Sequence, residues 1–271
     1  MTRSRFGRWW SAINWVVTHP LQSVSWIWRG ASAKDRIFAW QTTWYSGDLP
    51  RVPLAELFPA TRRNEVYVPN AFDRKPGTSI SVEEACHLGA LTRSLHARRV
   101  LEIGTYDGNS ALVLASNSDP QGIVVTVDLP PDFDTAQHQS ALAFPADAVN
   151  LTARDRLGSQ FREHPVSARI RQVYGDSGSL DWSALGGPFD LIFIDGCHTE
   201  SYVESDTRNA LKYLTPDGIV VWHDYGMIPE VSKVVDRFAL ASSHMKFVAL
   251  EGTRLAIAFV PQVLRSTAVS G

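Results

Sequence analysis

The chain has 271 residues, a formal charge of −2, and 44% hydrophobic and 20% charged residues. That is the balance of a soluble globular protein with one sizeable core, and its near-neutral charge argues against a nucleic-acid binder. Two cysteines, Cys86 and Cys197, exclude a disulfide framework and fit a reducing, cytoplasmic setting, and no apolar run reaches the roughly 18 residues of a membrane span.

The average charge hides an asymmetry. Residues 1–34 carry Arg3, Arg5, Arg8, Arg29 and Lys34 and no acid, and seven of the nine tryptophans precede residue 45. On a helical wheel Phe6, Trp9, Trp10, Ile13 and Val17 share one face. Such a stripe suits packing on the protein's own domain or on a second copy in a homo-oligomer, peripheral membrane contact, or a signal peptide. His19, Pro20 and Gln22 interrupt the apolar run, so the signal is disfavoured and packing is preferred. Residues 45–80 are proline-rich and read as an irregular connector.

Further along, Ser81 with Glu84 three residues on is a capping-box signature, which predicts a helix over 81–96. From residue 98 strands and helices alternate. Strands are expected over 98–104, 122–129, 168–177, 189–195 and 218–225. Helices are expected over 108–117, from Thr199 to a "TPDG" stop signal, and from Pro229 onward. "MKFVALE" and "LAIAFV", parted by Gly252, Thr253 and Arg254, have hairpin spacing. Residues 263–271 read as a tail. Apolar strands separated by helices imply a doubly wound, mostly parallel α/β sheet, here of seven strands with an antiparallel closing hairpin. The organisation predicted is a tryptophan-rich helical extension and connector (1–79), a catalytic domain (80–262) and the tail. Residues 130–167 are long for a crossover and could supply a lid.

Ligands in such sheets bind off the carboxyl ends of the strands. "LEIGTYDGNSA" puts Glu102 before Gly104 at a strand exit and Gly108 at a helix start, where a tight turn and free N–H groups can receive an anion. Tyr106 stands where a dinucleotide fingerprint needs glycine, which weakens a nicotinamide reading. Asp128 ends the second strand, where a carboxylate can meet a ribose diol, and Asp176 and Ser177 end the third.

With these residues in register, region 80–260 resembles the class I S-adenosylmethionine-dependent methyltransferases. "LEIGTYDGNSA" is most similar to the catechol and caffeoyl-coenzyme A O-methyltransferase branch. The resemblance implies a cofactor cradle of Glu102, Gly104, Thr105, Tyr106, Gly108, Asn109, Ser110, Asp128, Asp176 and Ser177, with Ser110 on the methionine carboxylate and Asp128 on the ribose. Taken singly, each of these acids and serines has an equally good structural reading as a cap or strand-end charge.

The fourth and fifth strands end in "DGCH" and "WHDY". The catechol branch places a metal-binding Asp and an Asp–Asn pair there; this chain departs from it with His223 and Asp224. "D-G-x-H" with "H-D" is similar instead to the macrocin-type sugar O-methyltransferases, in which the histidine three residues after the metal aspartate is the base. The resemblance therefore implies catalysis by Asp195 and His198, and a divalent ion, Mg or Mn, on Asp195, His223 and Asp224. The expected activity is methyl transfer to a hydroxyl of a small molecule or sugar. His223 could equally turn inward as a satisfied buried histidine, Trp222 and Cys197 read as packing, and Asp206 as a packed carboxylate. A metal-independent enzyme using His198 alone is a rival, and so is a non-catalytic, cofactor-binding scaffold subunit.

Overall fold

In the computed structural model, which describes residues 47–71, 80–133 and 154–261, the apolar runs pair into one sheet. The chain runs through β1 (Arg51–Val52), the single helical turn α1 (Leu54–Leu57), α2 (Val82–Ser94), β2 (Arg99–Ile103), α3 (Asn109–Asn117), β3 (Ile123–Asp128) and β4 (Ile170–Tyr174). It continues through β5 (Phe189–Ile194), α4 (Glu200–Lys212), β6 (Leu214–Trp222), α5 (Pro229–Ala241), β7 (Lys246–Leu250) and β8 (Ala256–Phe259). The strand order is β1-β7-β8-β6-β5-β2-β3-β4. β8 runs antiparallel to β6 and β7, and the other pairings are parallel. The tryptophan-rich helix, most of the lid segment and the tail lie outside the described residues.

Both faces of the central strands are covered, which is why their sequences are continuously apolar rather than alternating. Val100, Val124, Phe193 and Val221 pack with Leu88 and Leu91 of α2 and Leu114 of α3. Their neighbours Leu101, Val125, Ile192 and Trp222 pack on the other face with Val203 of α4 and Val234 of α5. This parity decides where each strand-end side chain points.

The helix starts follow local chemistry. Ser81 Oγ accepts from the Glu84 N–H and Glu84 Oε2 from the Ser81 N–H, closing the capping box on α2; Pro229 opens α5 at its first turn. Two features depart from the sequence expectation. The "TPDG" segment falls inside β6, which starts at Leu214, and its pairing with β5 passes from Leu214 to Ile219, so those four residues form the irregularity in the register. The connector also supplies an eighth strand, the two-residue β1 beside β7. Among the described residues no helix is long and apolar enough to cross a membrane.

The chain order reverses between β2 and β5, neighbours in the sheet whose successors lead to opposite edges. The crevice of such a sheet opens at their carboxyl ends.

Candidate active site

The loop from β2 to α3 has three left-handed residues, Gly104 (φ +97°), Tyr106 (φ +45°) and Gly108 (φ +86°). A Cβ on Gly104 would lie 2.0 Å from the carbonyl oxygen of Asp195, so the exits of β2 and β5 touch at a point only glycine allows. At Gly108 it would lie 2.4 Å from the Phe161 ring.

Asp128 holds this loop open. Its Oδ2 accepts from the N–H groups of Thr105 and Tyr106, each at 2.9 Å, and its Oδ1 from Leu129 at 2.7 Å. Asn109 is fixed by Asp107, through its N–H at 3.1 Å and its amide nitrogen at 2.9 Å, while its own buried Oδ1 has no partner among the described residues. Ser110 is buried in the first turn of α3. Glu102 is wholly buried; the Thr126 hydroxyl donates to Oε2, and the Ser110 side chain also meets the carboxyl. Burial, with the charges of Asp195 and Asp128 nearby, pushes its carboxyl up to about 8.

At the end of β4, Asp176 accepts from the Gly178 N–H at 2.9 Å and from the Tyr202 hydroxyl at 3.1 Å. The Ser177 hydroxyl donates to Asp206 at 3.2 Å. Burial raises Asp206 to about 7, with the charge of Asp176 adding to it.

The exits of β5 and β6 carry the ionic half of the site. The N–H of Asp195 donates to the Ile103 carbonyl at 2.8 Å and ties β5 to β2. His198 Nε2 lies 3.1 Å from Asp224 Oδ2. One ligating atom from each of Asp195, His198 and Asp224 can be chosen so that all three lie within 4.8 Å of one another, a donor set of two carboxylates and an imidazole that fits a divalent cation.

His223 does not complete that set. Its Nδ1 is 3.0 Å from Asp195 Oδ1 and 3.4 Å from Asp224 Oδ1, and its Nε2 is 3.3 Å from Glu84 Oε2. Burial favours the neutral ring, but the carboxylates of Asp195, Asp224 and Glu84 outweigh it and hold His223 well above the usual imidazole range. The cluster thus brings His198 together with Asp195 and Asp224, while His223, expected from the sequence as a ligand, lies between the carboxylates of Asp195, Asp224 and Glu84. Trp222 is buried, with its indole N–H donating to Thr207 at 2.9 Å, as its packing reading anticipates.

Sequence reasoning missed Glu84 and Arg254. Glu84 Oε1 accepts from the N–H and Nε of Arg254 at 3.0 and 2.9 Å, and Oε2 from Nη2 at 2.9 Å. Arg254 Nη1 donates to Asp224 Oδ1 at 2.9 Å. Burial works against the charge on Glu84, yet His223 and Arg254 hold it far below the carboxylate range. Asp224 is depressed against its burial by His223 and Arg254 as well.

The comparisons bear on the same strand ends. Residues 101–225 match a methyltransferase domain. The likeness to methyltransferases read from the strand ends therefore holds in comparison with known proteins, and the methyltransferase match runs from β2 through Asp224. A curated catechol O-methyltransferase of Mycobacterium tuberculosis is 36% identical over 139 residues, which make up 51% of this chain and 50% of that protein. The match thus spans about half the length of the curated relative. Among solved structures, the O-methyltransferase TomG of Streptomyces achromogenes, in complex with SAM, is 21% identical with a TM-score of 0.46, covering 84% of this chain and 99% of that one. An O-methyltransferase from Bacillus cereus in complex with SAH is 18% identical with a TM-score of 0.44, covering 76% of this chain and 90% of that one. Likeness at this level carries no inference about substrate.

Proposed function

We propose that the protein is an S-adenosylmethionine-dependent O-methyltransferase acting on a hydroxyl of a small molecule or carbohydrate. The observation that carries this reading is the meeting of Gly104 with the Asp195 backbone, which sets the cofactor loop against the Asp195–His198–Asp224 cluster within the matched domain. When bound, S-adenosylmethionine supplies a sulfonium methyl group for displacement by the acceptor oxygen. The buried carboxyl of Glu102 suits the ammonium at its amino-acid end; Gly104, Thr105, Tyr106, Gly108, Asn109 and Ser110 line that end, Asp128 takes the ribose, and Asp176 and Ser177 the adenine.

His198 is the base. Asp224 Oδ2 lies 3.1 Å from its Nε2, a carboxylate placed to stabilise the imidazolium that forms when the ring takes the acceptor's proton. Asp195 and Asp224 would hold a divalent ion, Mg or Mn, whose Lewis acidity lowers the acceptor hydroxyl's pKa. Residues 80–262 form the catalytic unit on this reading. The extension 1–79 and the segment 130–167 set acceptor choice, and a homo-oligomer or a membrane surface is the partner the tryptophans suit. A reading without metal has one observation in its favour: Arg254 and His198 already occupy both oxygens of Asp224.

The test is methyl transfer to catechol and a panel of sugars, with cofactor binding followed by calorimetry. Asp195→Ala and His198→Ala are expected to retain binding and lose about 10²–10⁴-fold in turnover. Cofactor binding with no transfer by the wild type to any acceptor would favour the scaffold reading. Activity unchanged after exhaustive chelation would remove the ion and leave His198 as the sole activator.

A further inference from the structure

Glu84 and Arg254 lie outside the matched region 101–225, one before it on α2 and one after it in the β7–β8 loop. They meet across 170 residues of sequence and reach into the ionic cluster from the face of the sheet that α2 covers. Glu84 is 2% exposed, and its two oxygens lie within 2.8–3.3 Å of Ser81 N, His223 Nε2 and three nitrogens of Arg254. The remaining guanidinium nitrogen is on Asp224. The fork of one arginine thus joins the helix cap to the carboxylate that faces His198, a geometry a point-charge lysine cannot reproduce. The Arg254 carbonyl also accepts from the Tyr225 N–H at 2.9 Å. Asp224 is therefore gripped by side chain and by the following peptide, and it has a left-handed backbone (φ +57°) that a non-glycine residue keeps only when its surroundings enforce it.

We infer that Glu84 and Arg254 are positioning residues for methyl transfer: they fix His223 and Asp224 from outside the matched domain, and so set the spacing of the Asp195–His198–Asp224 centre. A stabilising ion pair alone does not explain this arrangement. Buried pairs exchanged for apolar residues of like volume are often neutral or stabilising, whereas groups that orient metal ligands typically change metal affinity by about 10–100-fold when lost. The inference rests on the proposed function for its consequence, but not for its geometry.

The deciding variant is Glu84→Leu/Arg254→Met in the full chain, which removes both buried charges together. It is expected to fold, with melting lowered only by the lost cap on α2, and to bind S-adenosylmethionine within about twofold, while Mn(II) binding, followed by electron paramagnetic resonance, weakens about 10–100-fold. Its crystal structure with S-adenosylhomocysteine should show Asp224 turned out of hydrogen-bond reach of His198. A folded variant that retains the 3.1 Å His198–Asp224 spacing would overturn the inference, whatever its Mn(II) affinity. Should the double variant fail to fold, Arg254→Gln, which keeps donors but not the fork, takes its place: a displaced Asp224 supports the positioning role, and a retained spacing overturns it. A wild type that binds no Mn(II) would count against the metal in the proposed function, and the crystallographic spacing would still decide the positioning role.

Discussion

Glu102 and Glu84 are the same acid, buried to nearly the same depth at 0% and 2% exposure, on adjoining parts of one site. Glu102, on β2, faces a threonine hydroxyl and the neighbouring charges of Asp128 and Asp195, and keeps its proton to about 8. Glu84, on α2, faces Arg254 and His223, and stays ionised. Burial alone therefore does not set the charge of a site; the partner does. At the cofactor end, an acid that burial keeps protonated is ready to exchange its proton for a cationic group. At the chemical end, the charges are paired in advance, so little reorganisation remains for the reaction.

The sharpest way to break the comparison is to take the partner away. Glu84→Ala takes from Arg254 the carboxylate that three of its nitrogens donate to, and a broken buried pair typically costs about 3–5 kcal/mol. Urea unfolding at pH 7 should show that loss, and the alanine should also uncap α2. Glu102→Gln, isosteric with an acid already protonated at pH 7, should change the same measurement by no more than about 1 kcal/mol. Equal losses in the two variants would mean that the two glutamates share one charge state.

The sequence shows this contrast only in part. Apolar runs ending in charge made Asp195, His223 and Asp224 visible as a rim, the two glycines marked the cofactor turn, and Ser81 with Glu84 marked the start of α2. What Glu84 does beyond its cap depends on Arg254, in a hairpin loop where a basic residue reads as solvated. That His198 joins Asp195 and Asp224 in one cluster while His223 faces Glu84 was hidden for a related reason: a strand end gives position along the chain, whereas contact depends on direction. Parity could have supplied the direction. Val221 packs on the face that α2 covers and Trp222 on the opposite one, so residue 223 returns toward α2 and Glu84. β1 was invisible because two residues make no pattern.

A smaller effect separates the two acids by pH. Glu102 and Asp206 have folded-state values raised from 4.5 to about 8 and from 3.8 to about 7. The folded chain keeps protons that the unfolded chain releases, so their contribution is complete below about pH 4 and is lost as pH rises through 7 and 8. Glu84 and Asp224, both depressed, act in the opposite sense: their contribution is present above the ordinary carboxylate range and lost as pH falls. Between pH 5 and 8 the unfolding free energy should decline, by at most about 1.4 kcal/mol per pH unit for each retained proton. Glu102→Gln/Asp206→Asn should flatten that decline. The residual slope above pH 6.5 belongs to His223, whose raised value has the same sign. An unaltered slope in the double variant would mean that both acids are ionised in the fold.

The finest distinction lies in cofactor binding. If Glu102 receives the ammonium of S-adenosylmethionine, its carboxyl must give up a proton as the cofactor enters, because an ammonium gains from a carboxylate and not from a neutral acid. Affinity should then rise with pH between about 6 and 7.5, below the range in which an α-amino group itself titrates, with a slope of at most about one proton. Calorimetry in buffers of differing ionisation enthalpy would detect the released proton directly. Glu102→Gln should bind more weakly at pH 7.5, release no proton from this position and show a flat profile over the same range. Glu84 offers the internal control: already ionised and fully partnered, it has no proton to release, so Glu84→Gln should leave the pH slope of binding as it is in the wild type. A slope that survives in Glu102→Gln, or that vanishes in Glu84→Gln, would assign the proton to the wrong glutamate and undo the division of the site into an acid held in reserve and charges fixed beforehand.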